Sequence, residues 1–218
     1  MVVDGYQKID GWFGDRDARF YTYQVQRLQG PARFVEIGSW MGRSSYCMAD
    51  GIRRSGKPIE FWCVDTWEGS EEHRGVDSVA SGTLFDEFLA NVAPVRDYLR
   101  PLRAASLEAA GQFDDQSLDF VFIDAAHDYD NVRADIEAWR PKVKPTGVLA
   151  GHDYSKAWPG VVRAVEAAFH GKARVFGSCW YVARDGRAAP PSLRELRKGV
   201  GRQMKRYLGR SPFARPVA

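Results

Sequence analysis

Two short segments of this chain each pair a carboxylate with an imidazole. Residues 120–129 run Phe-Val-Phe-Ile-Asp-Ala-Ala-His-Asp-Tyr, and residues 147–154 run Gly-Val-Leu-Ala-Gly-His-Asp-Tyr. In both, an apolar run ends in acidic and imidazole side chains: Asp124 and His127 in the first, His152 and Asp153 in the second. A buried parallel strand delivers polar groups in this way to the carboxyl edge of an open α/β sheet, where such folds bind ligands. Two such ends can assemble a hard-cation site with a general base beside it. Helix capping is the competing explanation, but a cap needs one side chain per helix and leaves the doubled pairs unexplained.

A second constellation lies upstream. Residues 36–45, Glu-Ile-Gly-Ser-Trp-Met-Gly-Arg-Ser-Ser, fall at a strand-to-helix turn. Gly38 lets the backbone turn tightly and approach a ligand, and Gly42 allows close packing where the helix starts. The spacing is Gly-x-x-x-Gly, not the Gly-x-Gly-x-x-Gly of nicotinamide enzymes. Glu36 would repel a pyrophosphate, yet it could accept a hydrogen bond or pair with the amino group of an amino-acid-like ligand. Asp65 ends the next apolar run, where a carboxylate can accept both hydroxyls of a ribose. Acid, glycine turn and second acid suit S-adenosylmethionine better than a dinucleotide.

The elements that must position these groups alternate along the chain. Strands are expected at 34–37, 61–64, near Leu102, at 118–123 and at 148–151, and helices at 42–54, 84–92, 131–139 and 161–169. This alternation predicts an α/β fold with a doubly wound, mostly parallel, seven-stranded sheet. Upstream, an aromatic loop at 11–14 leads into a helix reaching Leu28, with Asp15 or Asp17 as N-cap and Phe20, Tyr23, Val25 and Leu28 as its apolar face. Near the end, two β-rich runs at 173–176 and 179–183 are joined by Gly177-Ser178. That link suits a type II′ hairpin, so the last two strands should be antiparallel. The polar stretch 68–82, which includes His73, looks like a lid over the cofactor side.

Bulk properties fit a folded domain. The chain has 218 residues, 44% of them hydrophobic, and a formal net charge of +3, too small to argue for a polyanion partner. Its apolar runs fall short of the roughly 20 residues a membrane span needs, and the N-terminus lacks the layout of a signal peptide. Cys47, Cys63 and Cys179 are odd in number and apolar in context, as expected of reduced core thiols in a cytoplasmic protein. After Pro190-Pro191 the composition turns basic, with Arg194, Arg197, Lys198, Arg202, Lys205, Arg206, Arg210 and Arg215 against Glu195. That segment suits docking on the domain or on a second copy of the chain, or peripheral contact with an anionic membrane. The expected organisation is an N-terminal helical cap over 1–30, a cofactor-binding domain over 31–185 and a basic tail over 186–218.

Taken in order, the Gly-Trp-Phe motif, Val-Glu-Ile-Gly-Ser-Trp-Met-Gly-Arg-Ser-Ser, Val-Asp-Thr-Trp-Glu-Gly, Phe-Ile-Asp-Ala-Ala-His-Asp-Tyr and Gly-His-Asp-Tyr resemble the class I S-adenosylmethionine-dependent methyltransferases. The likeness covers roughly residues 9 to 185 and is strongest to the metal-dependent sugar O-methyltransferases of the macrocin and mycinamicin type. The resemblance implies that Glu36, Gly38, Ser39, Trp40, Gly42, Ser44, Asp65, Trp67, Ser106 and Asp124 form the S-adenosylmethionine site, with Ser106 facing the adenine. It implies Asp124 and Asp153 as ligands of Mg2+, or of Mn2+, and His127 as the base that takes the acceptor's hydroxyl proton. His152 departs from the pattern, which has an acid there. As imidazole binds Mg2+ poorly, His152 would serve a water or substrate, or the site would take Mn2+ or Fe2+.

The implied activity is O-methylation of a sugar, oligosaccharide or glycosylated small molecule. A catechol-type O-methyltransferase is the nearest rival, although the lysine such enzymes place near the metal does not follow Asp124. A nicotinamide oxidoreductase is a further one, against which the glycine spacing and the terminal hairpin count. A nucleic-acid partner finds no Asn/Asp-Pro-Pro-Tyr motif.

Overall fold

A computed structural model describes residues 5–70 and 75–183. The basic tail and His73 lie outside the described residues. Strands β1 (Ala32–Ile37), β2 (Ile59–Asp65), β3 (Arg100–Arg103), β4 (Leu118–Ile123), β5 (Val143–Gly151), β6 (Arg174–Phe176) and β7 (Cys179–Ala183) form one sheet. Its order is β3-β2-β1-β4-β5-β7-β6. The first five strands run parallel, and β7 is antiparallel to both neighbours. The expected hairpin is present: Gly177 has φ +67, whereas Ser178 is not among the residues with positive φ, as a type II′ turn requires.

Helices α1 (Asp15–Arg27), α2 (Arg43–Ser55), α3 (Asp77–Ser81), α4 (Leu84–Val92), α5 (Ser106–Ala110), α6 (Tyr129–Trp139) and α7 (Pro159–Phe169) connect the strands. Among the described residues, none is long and apolar enough to cross a membrane. Cys47, Cys63 and Cys179 are free thiols, all buried.

Burial follows the hydrophobic pattern. Every residue of β4 is buried, as expected of a central strand covered on both faces. On one face, Val121, Ile123, Val35 and Leu149 pack with Ile136, Trp139, Val161 and Val165 of α6 and α7. On the other, Phe20 and Tyr21 of α1 meet Phe120 and Phe122 at ring separations between 4.7 and 6.4 Å. The first helix is thus laid directly on the sheet.

Several boundaries differ from expectation, and those of α1, α6 and β5 show the local structure involved. Gly14 is the N-cap of α1, and Asp17, at the third helical position, turns back to accept its N–H at 3.0 Å. The buried face of α1 then carries Phe20, Tyr21, Gln24 and Val25, while Tyr23 and Leu28 are half-buried. Helix α6 begins at Tyr129 because the Asp128 carboxylate caps it, accepting from Asn131 N–H at 3.0 Å. Strand β5 starts at Val143, which pairs with Leu118 of β4 ahead of a register shift between Leu118 and Phe120.

One contact sets the spacing of the central strand ends. Gly38 follows β1 with φ +85, and a Cβ there would lie 2.0 Å from the Asp124 carbonyl oxygen. Gly38→Ala should therefore destabilise the domain by about 3 kcal/mol or more, from the left-handed backbone and the clash together. Urea denaturation monitored by circular dichroism measures this, and a loss below about 1 kcal/mol would show that the approach is not obligatory.

Candidate active site

A cavity of about 580 Å³ opens above the carboxyl ends of β1, β2 and β4, a volume ordinary for small-molecule sites. Gly38, Ser39, Trp40, Ser44, Asp65, Ser106, Asp124, His127, His152 and Asp153 all line it. Glu36, Gly42 and Trp67, also expected at the cofactor site, lie behind that wall.

Glu36 ends in a nest of hydroxyls. It is 1% exposed and accepts from Tyr21 Oη at 2.8 Å, from Ser39 Oγ at 2.9 Å and from Ser45 Oγ. Burial raises its pKa, while these hydroxyls and that of Ser44 favour the anion. Its oxygens are therefore taken by the protein, and its place is beneath the glycine turn rather than against a ligand's amino group. Gly42 has φ +91 and caps α2, where a Cβ would press on Val92 and Phe88.

Asp65 acts as a clamp. Its Oδ2 accepts from the N–H groups of Ser39 and Trp40 at 2.8 and 2.9 Å, and its Oδ1 from Trp67 N–H at 2.8 Å. Trp40 and Trp67 hold left-handed backbones at φ +47 and +53, which bulky residues adopt only when their surroundings force it. The two tryptophans are also tied together, Trp67 Nε1 donating to Trp40 O at 2.9 Å. Trp67 then packs on Phe85 and Phe88 at 4.7 Å, so of the two only Trp40 faces the cavity. Three of about four acceptor positions on Asp65 are filled by backbone, leaving one for a ligand.

Ser106, the first residue of α5, bonds Asp135 at 2.5 Å and accepts from Trp139 Nε1 at 2.9 Å. Sequence reasoning did not place Asp10, Gly11, Trp12 and Phe13 in the lining of the cavity. Arg43 holds that loop in place by donating to the carbonyls of Phe13 and Ile9 at 2.9 and 3.1 Å.

The remaining polar groups gather at one end of the cavity. His127 Nε2 is 3.0 Å from Asp153 Oδ2, and its ring stacks on Trp158 at 3.9 Å. Helix α7 can lie so near because residue 160 is glycine, whose Cβ would fall 2.4 Å from the His127 carbonyl oxygen. Nδ1 of His152 faces Asp124 Oδ1 at 3.5 Å and Asp153 Oδ2 at 3.2 Å. Its Nε2 faces Ser178 Oγ at 2.9 Å and Asp17 Oδ2 at 3.4 Å.

Charge is concentrated here. Burial pushes the Asp124 carboxyl up to about 7; His152 opposes that shift and Asp153 adds to it. Burial disfavours a charged His152, yet Asp124, Asp153 and Asp17 outweigh it and push the imidazole up to about 11. For Asp153, burial is outweighed by the two histidines, which hold its carboxyl well below the ordinary range. Donor atoms of Asp124, His152 and Asp153 lie within 4.8 Å of one another, close enough to share one divalent ion.

The methyltransferase domain family matches residues 35–154, more than half of the chain. The chain belongs to that family. An uncharacterised protein of Sinorhizobium fredii, y4gI, is 32% identical over 138 residues, which are 63% of this chain and 15% of that protein. The chain thus spans 15% of the length of this curated relative.

Among solved structures, the O-methyltransferase NovP superposes with a TM-score of 0.59 at 19% identity, over 77% of this chain and 78% of its own. An O-methyltransferase from Bacillus cereus in complex with SAH gives 0.55 at 20% identity, over 82% and 86% of the two chains. CalS11, a TDP-rhamnose 3'-O-methyltransferase, gives 0.54 at 15% identity, over 77% and 76%. At these identities the likeness establishes the fold, and the resemblance to class I methyltransferases holds. The terminal antiparallel strand likewise separates this methyltransferase domain from the all-parallel dinucleotide sheet.

The Ser106–Asp135 contact yields a pH test. Burial pushes Asp135 from its ordinary 3.8 up to about 6, although the Ser106 hydroxyl favours the anion. Ionising it in the folded state therefore lowers stability as pH rises from about 4 to about 6. Asp135→Asn removes that penalty, so its stability relative to the parent should climb across this window by on the order of 1–3 kcal/mol. Thermal unfolding at pH 4 and pH 7 compares the two, and a pH-independent difference would sink the assignment.

Proposed function

We propose that this chain is an S-adenosylmethionine-dependent, divalent-metal-assisted O-methyltransferase acting on a hydroxyl of a sugar or glycosylated small molecule. What carries the reading is the convergence of Asp124, His127, His152 and Asp153 in the cavity that the Gly38 turn also lines.

The residues present fit both groups. The left-handed Gly38 turn, the apolar flanks of Ile37, Val64 and Ala104, and the open position on Asp65 form a cradle suited to a nucleoside with an amino-acid tail. S-adenosylmethionine, when bound there, supplies an electrophilic methyl group, and a divalent ion lowers the pKa of a hydroxyl that reaches it. Asp124, Asp153 and His152 would hold the ion.

The chain's own residues then have separable tasks. A sugar hydroxyl is a poor acid, so its proton must be accepted as the new bond forms. His127 accepts it, with its Nε2 lying 3.0 Å from Asp153 Oδ2. Asp153 and the face of Trp158 fix the ring against rotation, holding its orientation before the acceptor arrives. The loop at 10–13 and Trp40 complete the lining of the cavity. Aromatic faces at Trp12 and Trp158 suit stacking of a sugar ring. The sugar-directed activity printed for CalS11 belongs to that protein, and supports the acceptor class here by analogy of fold alone.

Calorimetric titration with S-adenosylhomocysteine, and separately with NAD, tests the cofactor. Micromolar binding of the former alone is expected, and preference for NAD would overturn the reading. His127→Ala should lower turnover on a panel of glycosides and nucleotide sugars by roughly 10²–10⁴-fold. Its affinity for S-adenosylhomocysteine should stay within about twofold, whereas equal loss of both would make the residue structural.

A further inference from the structure

His152 stands where a hard-cation site would carry a third acid, and the hydrogen bonds behind it settle which ring nitrogen it offers. Ser178 Oγ donates its one hydrogen to Asp17 Oδ1 at 2.9 Å. The same oxygen lies 2.9 Å from His152 Nε2. With that hydroxyl hydrogen committed to the carboxylate, Nε2 must be the donor in the second contact. Asp17 Oδ2, 3.4 Å from Nε2, reinforces the same polarity. In the neutral ring, the chain of groups Asp17, Ser178, His152 therefore keeps the proton on Nε2 and leaves the lone pair on Nδ1, which faces Asp124 and Asp153.

We infer that Asp17 and Ser178 are positioning residues that fix His152 as an Nδ1 donor, so that His152, Asp124 and Asp153 form a mixed nitrogen–oxygen site selecting Mn2+ or Fe2+ over Mg2+. The inference rests on the metal-assisted reading above, but concerns ion choice and two residues that reading does not use. A carboxylate behind a ligating histidine is the usual outer-shell device for setting tautomer and donor strength. Imidazole suits Mn2+ and Fe2+, whereas Mg2+ favours oxygen ligands and water. Three carboxylates surround this one imidazole.

The other side of the ring is engaged in hydrogen bonds within the protein. Cys179 lies beside Asp17, its Sγ donating to Oδ1 at 3.4 Å. Burial and the adjacent Asp17 raise its thiol well above the ordinary range. Cys179, Asp17 and Ser178 thus form the hydrogen-bonded back of the site.

Full-length protein, stripped with chelator, would be titrated with MnCl2 and with MgCl2, following free Mn2+ by electron paramagnetic resonance and heat by calorimetry. Mn2+ should bind at least about tenfold more tightly than Mg2+, and His152→Asp should narrow that ratio. Asp17→Ala and Ser178→Ala should each weaken Mn2+ binding by about 10–100-fold, with S-adenosylhomocysteine affinity within about twofold of the parent. Asp17 also bonds Gly14 N–H at the start of α1. Should Asp17→Ala fail to fold, Ser178→Ala, which leaves that cap intact, decides the question.

Equal Mn2+ and Mg2+ affinities would overturn the proposal. So would unchanged Mn2+ binding in folded Asp17→Ala and Ser178→Ala. Binding of neither ion at millimolar concentration would do so too, and would make His152 an internal cation shared by Asp124 and Asp153. Cofactor binding in the absence of any metal tests the methyltransferase reading separately, so the two can fail independently.

Discussion

The approach of Gly38 to the Asp124 backbone is the constraint on which the site depends. Strands β1 and β4 are neighbours in the sheet, and Asp124 N–H donates to Ile37 O at 2.8 Å just where both strands end. From there the chain diverges, β1 leading through α2 toward β2 and β4 through α6 toward β5. A side chain on residue 38 would push these ends apart. Without one, the cofactor turn and the first acid of the chemical loop share a single wall. This is the crevice an open α/β sheet offers where its strand order reverses.

Around that crevice, the carboxylates do two kinds of work, and burial decides which. Glu36 and Asp65 face backbone and hydroxyl donors that the fold supplies, so they stabilise the geometry of the turn, and of the two only Asp65 keeps an acceptor position toward the cavity. Their anions compensate groups that would otherwise be buried unsatisfied. Asp124 and Asp153 instead face imidazoles and each other across the cavity. Charges held that closely, away from bulk water, are expensive unless something offsets them. Excess charge of this kind marks a site that works on a ligand.

How much of this could be seen in the sequence follows from what a periodic pattern encodes. Apolar runs and their spacing report burial, so the strands, the longer helices and the Gly177-Ser178 hairpin were legible, whereas the five-residue helices Asp77–Ser81 and Ser106–Ala110 were too short to show a period. Strand-terminal acids were legible too, because a polar residue closing an apolar run must face the sheet edge. The direction in which each acid then points was not. Glu36 turns inward because Tyr21, Ser39 and Ser45 converge on it, and Tyr21 arrives from a helix whose buried face the pattern placed one side chain away. Trp67 looked like a ligand wall, but packs behind one because Asp65 fixes its backbone in the left-handed region.

Asp17 shows the limit most clearly. On a helix opening with Asp15 and Asp17, an acid is the ordinary choice for a first turn, and capping explains it fully. Its bond to Gly14 N–H fulfils that role with one oxygen, and the other oxygen reaches Ser178, far along the chain. Local spacing carries no information about such a partner, since it exists only once β7 has paired against β5 and brought the hairpin turn beneath α1. The first helix and the last hairpin therefore belong to the site as much as the strand ends do. They set the hydrogen bonding behind His152, which in turn determines the donor atom that its ring presents to Asp124 and Asp153.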